Sequence, residues 1–191
     1  MKEIIYVTGN NLKFDVAKKK IAGFGFDLVQ KKLETPEIQS MDVKEVASFS
    51  AKWASDKLRK AVAVTDAGFY IEALNGFPGP FIKYINKWLT AEDILNLMRG
   101  KEDRGVEVRA CLGYCEPGEE PVAFTGVSKG RLALVPAGKR TTPIDELFIP
   151  DGYDRPASEI PWEEMAKFWG EGADGTWKQL AEYLKAKDED S

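Results

Sequence analysis

Apolar and polar positions follow two periods along this chain, and the changes between them mark out its elements. Residues 3 to 8 are an apolar, β-branched run ending in Thr8-Gly9-Asn10, a strand entering a tight loop. Leu12, Val16, Ala17 and Ile21 then recur at helical spacing, and Gly23 and Gly25 end that helix. Phe26 to Leu33 reads as a second strand. A helix from about Asp42 to Lys60 carries Val43, Val46, Ala47, Ser50, Trp53, Ala54 and Leu58 on its inner stripe, with Asp42 and Glu45 in the spacing of a capping box. Val62 to Val64 is a short buried strand, and Phe69 to Leu74 alternates as another, so Asp66 and Gly68 fall on the connection between them. Asn75-Gly76 is a turn, Phe77-Pro78-Gly79-Pro80 stiffens the loop after it, and Lys83 stands near the start of a helix.

Thr90 to Asp93 opens a short helix closed by Gly100. Val106 to Cys115 alternates as a strand. A turn at Glu116 to Glu119 leads to a return strand from Pro121 to Phe124, and Gly130 to Val135 makes a further strand. A basic loop, Pro136 to Pro143, precedes Leu147 to Pro150. The pattern is helical from Glu163, interrupted by Gly170, Gly172 and Gly175, and a last helix covers Trp177 to Leu184. Residues 185 to 191 read as a charged, frayed tail. The mixture defines an α/β class with an α+β tendency, in a single domain over residues 1–191.

At 191 residues with 43% hydrophobic content, the chain can bury a full core. A net charge of −4 argues against a nucleic-acid footprint. No apolar run is long enough to span a bilayer, and Met1 to Val7 lacks a signal-peptide pattern, so a cytoplasmic protein is expected. The two cysteines, Cys111 and Cys115, share a strand face about 13 Å apart and cannot bridge each other. There is no histidine, which removes Ser-His-Asp and Cys-His catalysis and leaves the two cysteines short of a zinc ligand set. Carboxylates, lysines and a hard cation such as Mg²⁺ remain for chemistry.

Two stretches carry candidate chemistry. In the first, the Thr8-Gly9-Asn10 loop leads into a helix whose free N–H groups suit an anion, with Asn10 as the cap and Lys13 one turn in. The plain alternative is a capped helix with a solvated lysine. In the second, Asp66 and Lys83 sit on short connections between rigid elements, as in sites for a phosphate and its metal. Here the plain alternative is a surface aspartate and a solvated lysine.

Taken together, Thr8-Gly9-Asn10 with Lys13, Pro36-Glu37, Asp66-Ala67-Gly68 and above all Leu74-Asn75-Gly76-Phe77-Pro78-Gly79-Pro80-Phe81-Ile82-Lys83 resemble the inosine triphosphate pyrophosphatase family, whose substrates are non-standard purine nucleoside triphosphates. Phe124-Thr125-Gly126, Gly130-Arg131-Leu132 and Phe148 to Tyr153 look like its later strands. The resemblance implies an elongated mixed β-sheet with helices, two lobes around a central active-site cleft, and a homodimer. It implies cleavage between the α- and β-phosphates of a nucleoside triphosphate. By position, Glu37 and Asp66 look like the acids that organise Mg²⁺ (or Mn²⁺) and the attacking water, with Asp66 a candidate general base. Thr8, Gly9, Asn10, Lys13 and Lys83 look like the triphosphate set, and Asp145 like a further substrate contact.

The chain departs from the family pattern in three places. An aromatic-Gly-aromatic-Asp-Pro segment is replaced by Thr142-Pro143-Ile144-Asp145-Glu146, a C-terminal Ser-His-Arg by Lys167-Phe168-Trp169-Gly170-Glu171, and an acid before Asp66 by Thr65. Because the lost groups read the purine in the family, altered base selectivity is expected, with Phe168, Trp169 and Trp162 available for stacking. Two other readings stay open: a nucleotide-binding module without turnover, and a structural protein that keeps only the fold.

Overall fold

The computed structural model describes residues 2–36, 38–138, 142–171 and 175–189. The elements, in chain order, are β1 (Lys2–Val7), α1 (Asn11–Ala22), β2 (Phe26–Lys31), α2 (Val43–Leu58), β3 (Val62–Ile71), β4 (Pro78–Gly79), α3 (Ile82–Trp88), α4 (Ala91–Leu97), β5 (Gly105–Cys115), β6 (Val122–Leu132), β7 (Phe148–Pro150), α5 (Trp162–Glu171) and α6 (Thr176–Glu189). Among the described residues the strands run β2-β1-β3-β5-β6-β7, with β4 paired to β3. The chain forms two compact units: 1–66, 110–126 and 174–191 in one, 67–109 and 127–173 in the other. Strands β3, β5 and β6 contribute residues to both.

In the first unit β1 pairs in parallel with β2 from Lys2↔Phe26 to Val7↔Lys31, and with β3 from Ile5↔Val62 to Val7↔Val64. Alternation sends side chains to two faces. Ile4, Tyr6, Leu28 and Ala63 pack with Ala17 and Ile21 of α1 and Trp177 and Leu180 of α6. Val7, Val62 and Val64 pack on Ala51 and Ala54 of α2. Each fully buried valine, leucine or isoleucine among them contributes about 1.5–3 kcal/mol through removal from water. Helix α2 comes close enough to β5 that a Cβ on Gly113 would collide with the Ala47 backbone. In the second unit Phe69 and Ile71 of β3 pack with Ile94 and Met98 of α4 and with Leu147, Phe148 and Ile160.

Several elements differ from the sequence reading. Val62 to Ile71 is one continuous strand, so Asp66 lies within β3 and not on a connection. Gly68 reads as a break but is a packing glycine: a Cβ there would stand 2.9 Å from the Gly79 carbonyl carbon of β4. The two strands expected at 121–124 and 130–135 are likewise the single strand β6, in which Gly130 makes room for the Phe148 ring and the Ile149 carbonyl of β7. Strand β2 stops at Lys31, short of Leu33. Leu12 is 55% exposed rather than part of the α1 stripe.

The capping box at α2 does not form. Ser40 Oγ takes the Asp42 N–H at 3.0 Å and donates to Glu45 at 2.6 Å, while Asp42 caps Lys44 N–H. A full box forms instead at α4, between Thr90 and Asp93. The tail read as frayed from Lys185 is helical through Glu189. Lys187 anchors it, 2.7 Å from Glu119 and 3.5 Å from Glu116 of the β5–β6 turn.

Candidate active site

The parallel strands of the first unit set the geometry. From β1 the chain leaves through α1 to β2 on one side, and from β2 it returns through α2 to β3 on the other, so α1 and α2 lie on opposite faces. The carboxyl end of β1 and the stretch of β3 just past Val64 therefore flank a topological switch point, the place where α/β sheets bind ligands. The Thr8-Gly9-Asn10 loop emerges there from β1. The pairing of β1 with β3 runs to Val7↔Val64, so the loop begins one residue past the last pair and Asp66 stands two residues past it on β3.

The loop is held by its own side chains. Asn10 N–H donates to Thr8 Oγ1 at 3.1 Å, and Lys13 N–H donates to Asn10 Oδ1 at 3.2 Å, which makes Asn10 the N-cap as its sequence position implies. The N–H groups of Asn11 and Leu12, in the first turn, are ones a helix cannot satisfy internally. Gly9, Asn10 and Lys13 are exposed and Thr8 is half-buried.

Asp66 is half-buried, and strand alternation puts it on the α2 face with Val62 and Val64. Cys111 packs against Val43 and Ala47 of α2, and burial first, then the charges of Asp42 and Asp66, pushes its thiol up to about 12, against a weaker opposing pull from Lys44. Thr65 points to the opposite face, where its hydroxyl shares a 2.6 Å hydrogen bond with that of Tyr6.

The remaining residues read from the sequence lie elsewhere. Glu37 is outside the described residues. Lys83, exposed, is the second residue of α3 in the second unit. The loop before it folds back on β3 through Phe69↔Gly79 and Tyr70↔Pro78, with Asn75 at φ 54° and Gly76 at φ 85° supplying the left-handed turn that Asn-Gly predicts. Asp145, also in the second unit, is half-buried. It accepts from Thr142 Oγ1 at 2.8 Å, and its N–H donates back to that oxygen at 3.2 Å. Phe168 packs against Phe148 and Tyr153, with ring centroids 6.2 and 6.3 Å away, while Trp162 is 42% exposed. The side chains of Lys167 and Trp169 lie outside the described residues. Among the described residues no group of three or more carboxylate or thiol side chains is gathered as for a metal cage.

Two contributors escape the sequence reading. One is the Tyr6–Thr65 pair. The other is Gln30 of β2, whose Nε2 donates to the Thr8 carbonyl and to Asn11 Oδ1, each at 3.2 Å. Its only signal is a polar residue in phase with the buried Phe26 and Leu28.

Residues 4–169 match the Ham1 family. The dITP/XTP pyrophosphatase of Methanopyrus kandleri is 40% identical over 165 residues, 86% of this chain and 88% of that one. That of Thermococcus kodakarensis is 32% identical over 182 residues, 95% and 97% of the two chains. A Ham1 protein structure from Coxiella burnetii aligns with TM-score 0.82, covering 97% of this chain and all of the other, at 22% identity, a likeness of fold. The chain belongs to the Ham1 family, and the resemblance read from its motifs is borne out.

Proposed function

We propose that the chain is a nucleoside triphosphate pyrophosphatase that hydrolyses an NTP or dNTP to the monophosphate and pyrophosphate. The observation that carries this is that the β1–β3 pairing ends at Val7↔Val64, at the switch point of the first unit, with the Thr8-Gly9-Asn10 loop following on one strand and Asp66 two residues on along the other. As an anhydride hydrolase it matches what its relatives are named for, dITP/XTP pyrophosphatases. Phosphoryl transfer needs mainly positioning and charge neutralisation. The Asn11 and Leu12 N–H groups and Lys13 receive phosphate oxygens, and Lys83 and Asp145 keep the substrate-contact roles that the resemblance implies. Asp66 Oδ accepts the proton of the attacking water as that water adds across the α–β anhydride bond and pyrophosphate leaves.

The donor set suits Mg²⁺, with Mn²⁺ as the alternative. Mg²⁺ is held through one or two carboxylates plus substrate phosphates and keeps several waters, so a carboxylate cage is not needed. Glu37 and Asp66 would hold it, the roles that the resemblance implies. Bound, it supplies charge neutralisation and a more acidic water. The reading includes action in the cytoplasm as a homodimer.

Base selectivity is altered in this reading. The chain has no histidine to donate to a purine edge, Asp145 is engaged by Thr142, and Phe168 is drawn against Phe148 and Tyr153. Stacking on an exposed aromatic such as Trp162 tolerates every base. The test is kcat/KM for inosine, xanthosine and the four standard nucleoside triphosphates. Ratios within about 10–200-fold are expected from shape alone. A preference for inosine over adenosine triphosphate above roughly a thousandfold contradicts the altered selectivity.

A further inference from the structure

The hydrogen bonds of Gln30 fix more than a loop. Thr8 N–H donates to the Lys31 carbonyl at 3.1 Å, and the Thr8 carbonyl accepts from Gln30 Nε2 at 3.2 Å, so both backbone groups of Thr8 face β2. In a trans peptide the carbonyl and the following N–H point in opposite directions. The Gly9 N–H is thereby turned away from the Gln30 amide. Gly9 is also where this peptide plane turns over most easily. It has no Cβ, and the space where one would stand holds no atom within 4 Å. Without Gln30, the carbonyl of half-buried Thr8 would lose this bond.

We infer that Gln30 is a positioning residue: it locks the Thr8–Gly9 peptide so that the Gly9 N–H joins those of Asn11 and Leu12 in receiving a phosphate oxygen. The inference rests on the pyrophosphatase reading above and assigns the donor that orients its phosphate loop. A ligand that binds only one orientation of the plane is weakened in proportion to the population lost, yet at saturation it restores that orientation. The signature is therefore a rise in KM with kcat held.

The test uses Gln30→Met, which keeps the side-chain length and removes the donor, with Gln30→Ala as a second donor-less variant should the first fail to fold. Binding of inorganic tripolyphosphate with Mg²⁺ is measured by calorimetry, and KM and kcat with a nucleoside triphosphate. The expected result is a Kd and a KM each raised roughly tenfold or more, as for loss of one bond to a charged group, with kcat within about twofold of the wild type. In ¹⁵N–¹H spectra of the ligand-free variant the Gly9 amide should broaden by exchange and sharpen on adding tripolyphosphate. In the wild type it should be sharp throughout, a difference that a merely structural role for Gln30 would not produce. Wild-type chain that neither binds tripolyphosphate nor turns over nucleotide overturns the pyrophosphatase reading and this inference with it. Wild-type binding matched by both variants, or a fall in kcat at unchanged KM, overturns the role of Gln30 alone.

Discussion

The hydroxyls of Tyr6 and Thr65 share a hydrogen bond of 2.6 Å between the paired strands β1 and β3. Tyr6 is 1% exposed, and its ring meets Trp177 of α6 edge-on at 4.9 Å. The position next to Asp66 is thus filled by a neutral group turned to the other face of the strand. Tyr6→Phe should keep the fold but leave the Thr65 hydroxyl without this partner. About 1 kcal/mol should be lost, a thermal midpoint lower by about 2–4 °C for a chain of this size. Calorimetry that finds no shift would contradict a contribution from the pair.

Asp66→Asn preserves shape and should leave the thermal midpoint nearly unchanged. Turnover should fall by a few powers of ten, about 3–5 kcal/mol of transition-state stabilisation. Activity within about threefold of the wild type would reject Asp66 as the proton acceptor.

Gly68→Ala places a Cβ 2.7 Å from the Tyr70 ring and 2.9 Å from the Gly79 carbonyl carbon. Backbone cannot yield as a flexible side chain does, so β4 must lift from β3. A stability loss of about 1–3 kcal/mol is expected. The loop that leads into Lys83 should shift with it, and displacement on the scale of 1 Å lowers kcat/KM by about a hundredfold. Steady-state kinetics with Asp66 intact measures this, and unchanged kcat/KM would separate Lys83 from catalysis.

The motifs that could be read from the sequence are those whose bonds close within a few residues. Asn10 caps Lys13, Thr90 caps Asp93, and Asn75 takes the left-handed conformation, each within three positions. The continuity of β3 through Asp66, Ala67 and Gly68 was not readable, because the reason for a glycine there is the backbone of Gly79. The same holds for Gly130, whose neighbours are Phe148 and Ile149. Gln30 reaches Thr8 across 22 residues, and Lys187 reaches Glu119 across 68, which is why neither the locked loop nor the length of α6 showed in local periodicity. Only its motif marks Asp145 in the sequence, and nothing in local periodicity shows its bond to Thr142.

Both cysteines are buried and free. Burial, ahead of the nearby charges, raises the Cys111 thiol to about 12, and burial also raises Cys115. Folded chain should therefore resist iodoacetamide at pH 8, and both thiols should react in denaturant. The sign of the pH effect follows: a folded pKa above the unfolded value of about 8.5 gives stability that is complete below that pH and is lost as pH rises toward 12. The urea midpoint should fall between pH 7.5 and 10, and by less in Cys111→Ala. Rapid labelling of native chain at pH 8 would contradict the buried, protonated thiols.

The most direct test follows the phosphorus of a nucleoside triphosphate incubated with the chain and Mg²⁺. By ³¹P NMR, nucleoside monophosphate and pyrophosphate should appear together in equal amounts. Little product should form without the metal or with Asp66→Asn. Release of orthophosphate with a nucleoside diphosphate, or tight nucleotide binding with no turnover, would contradict the pyrophosphatase reading.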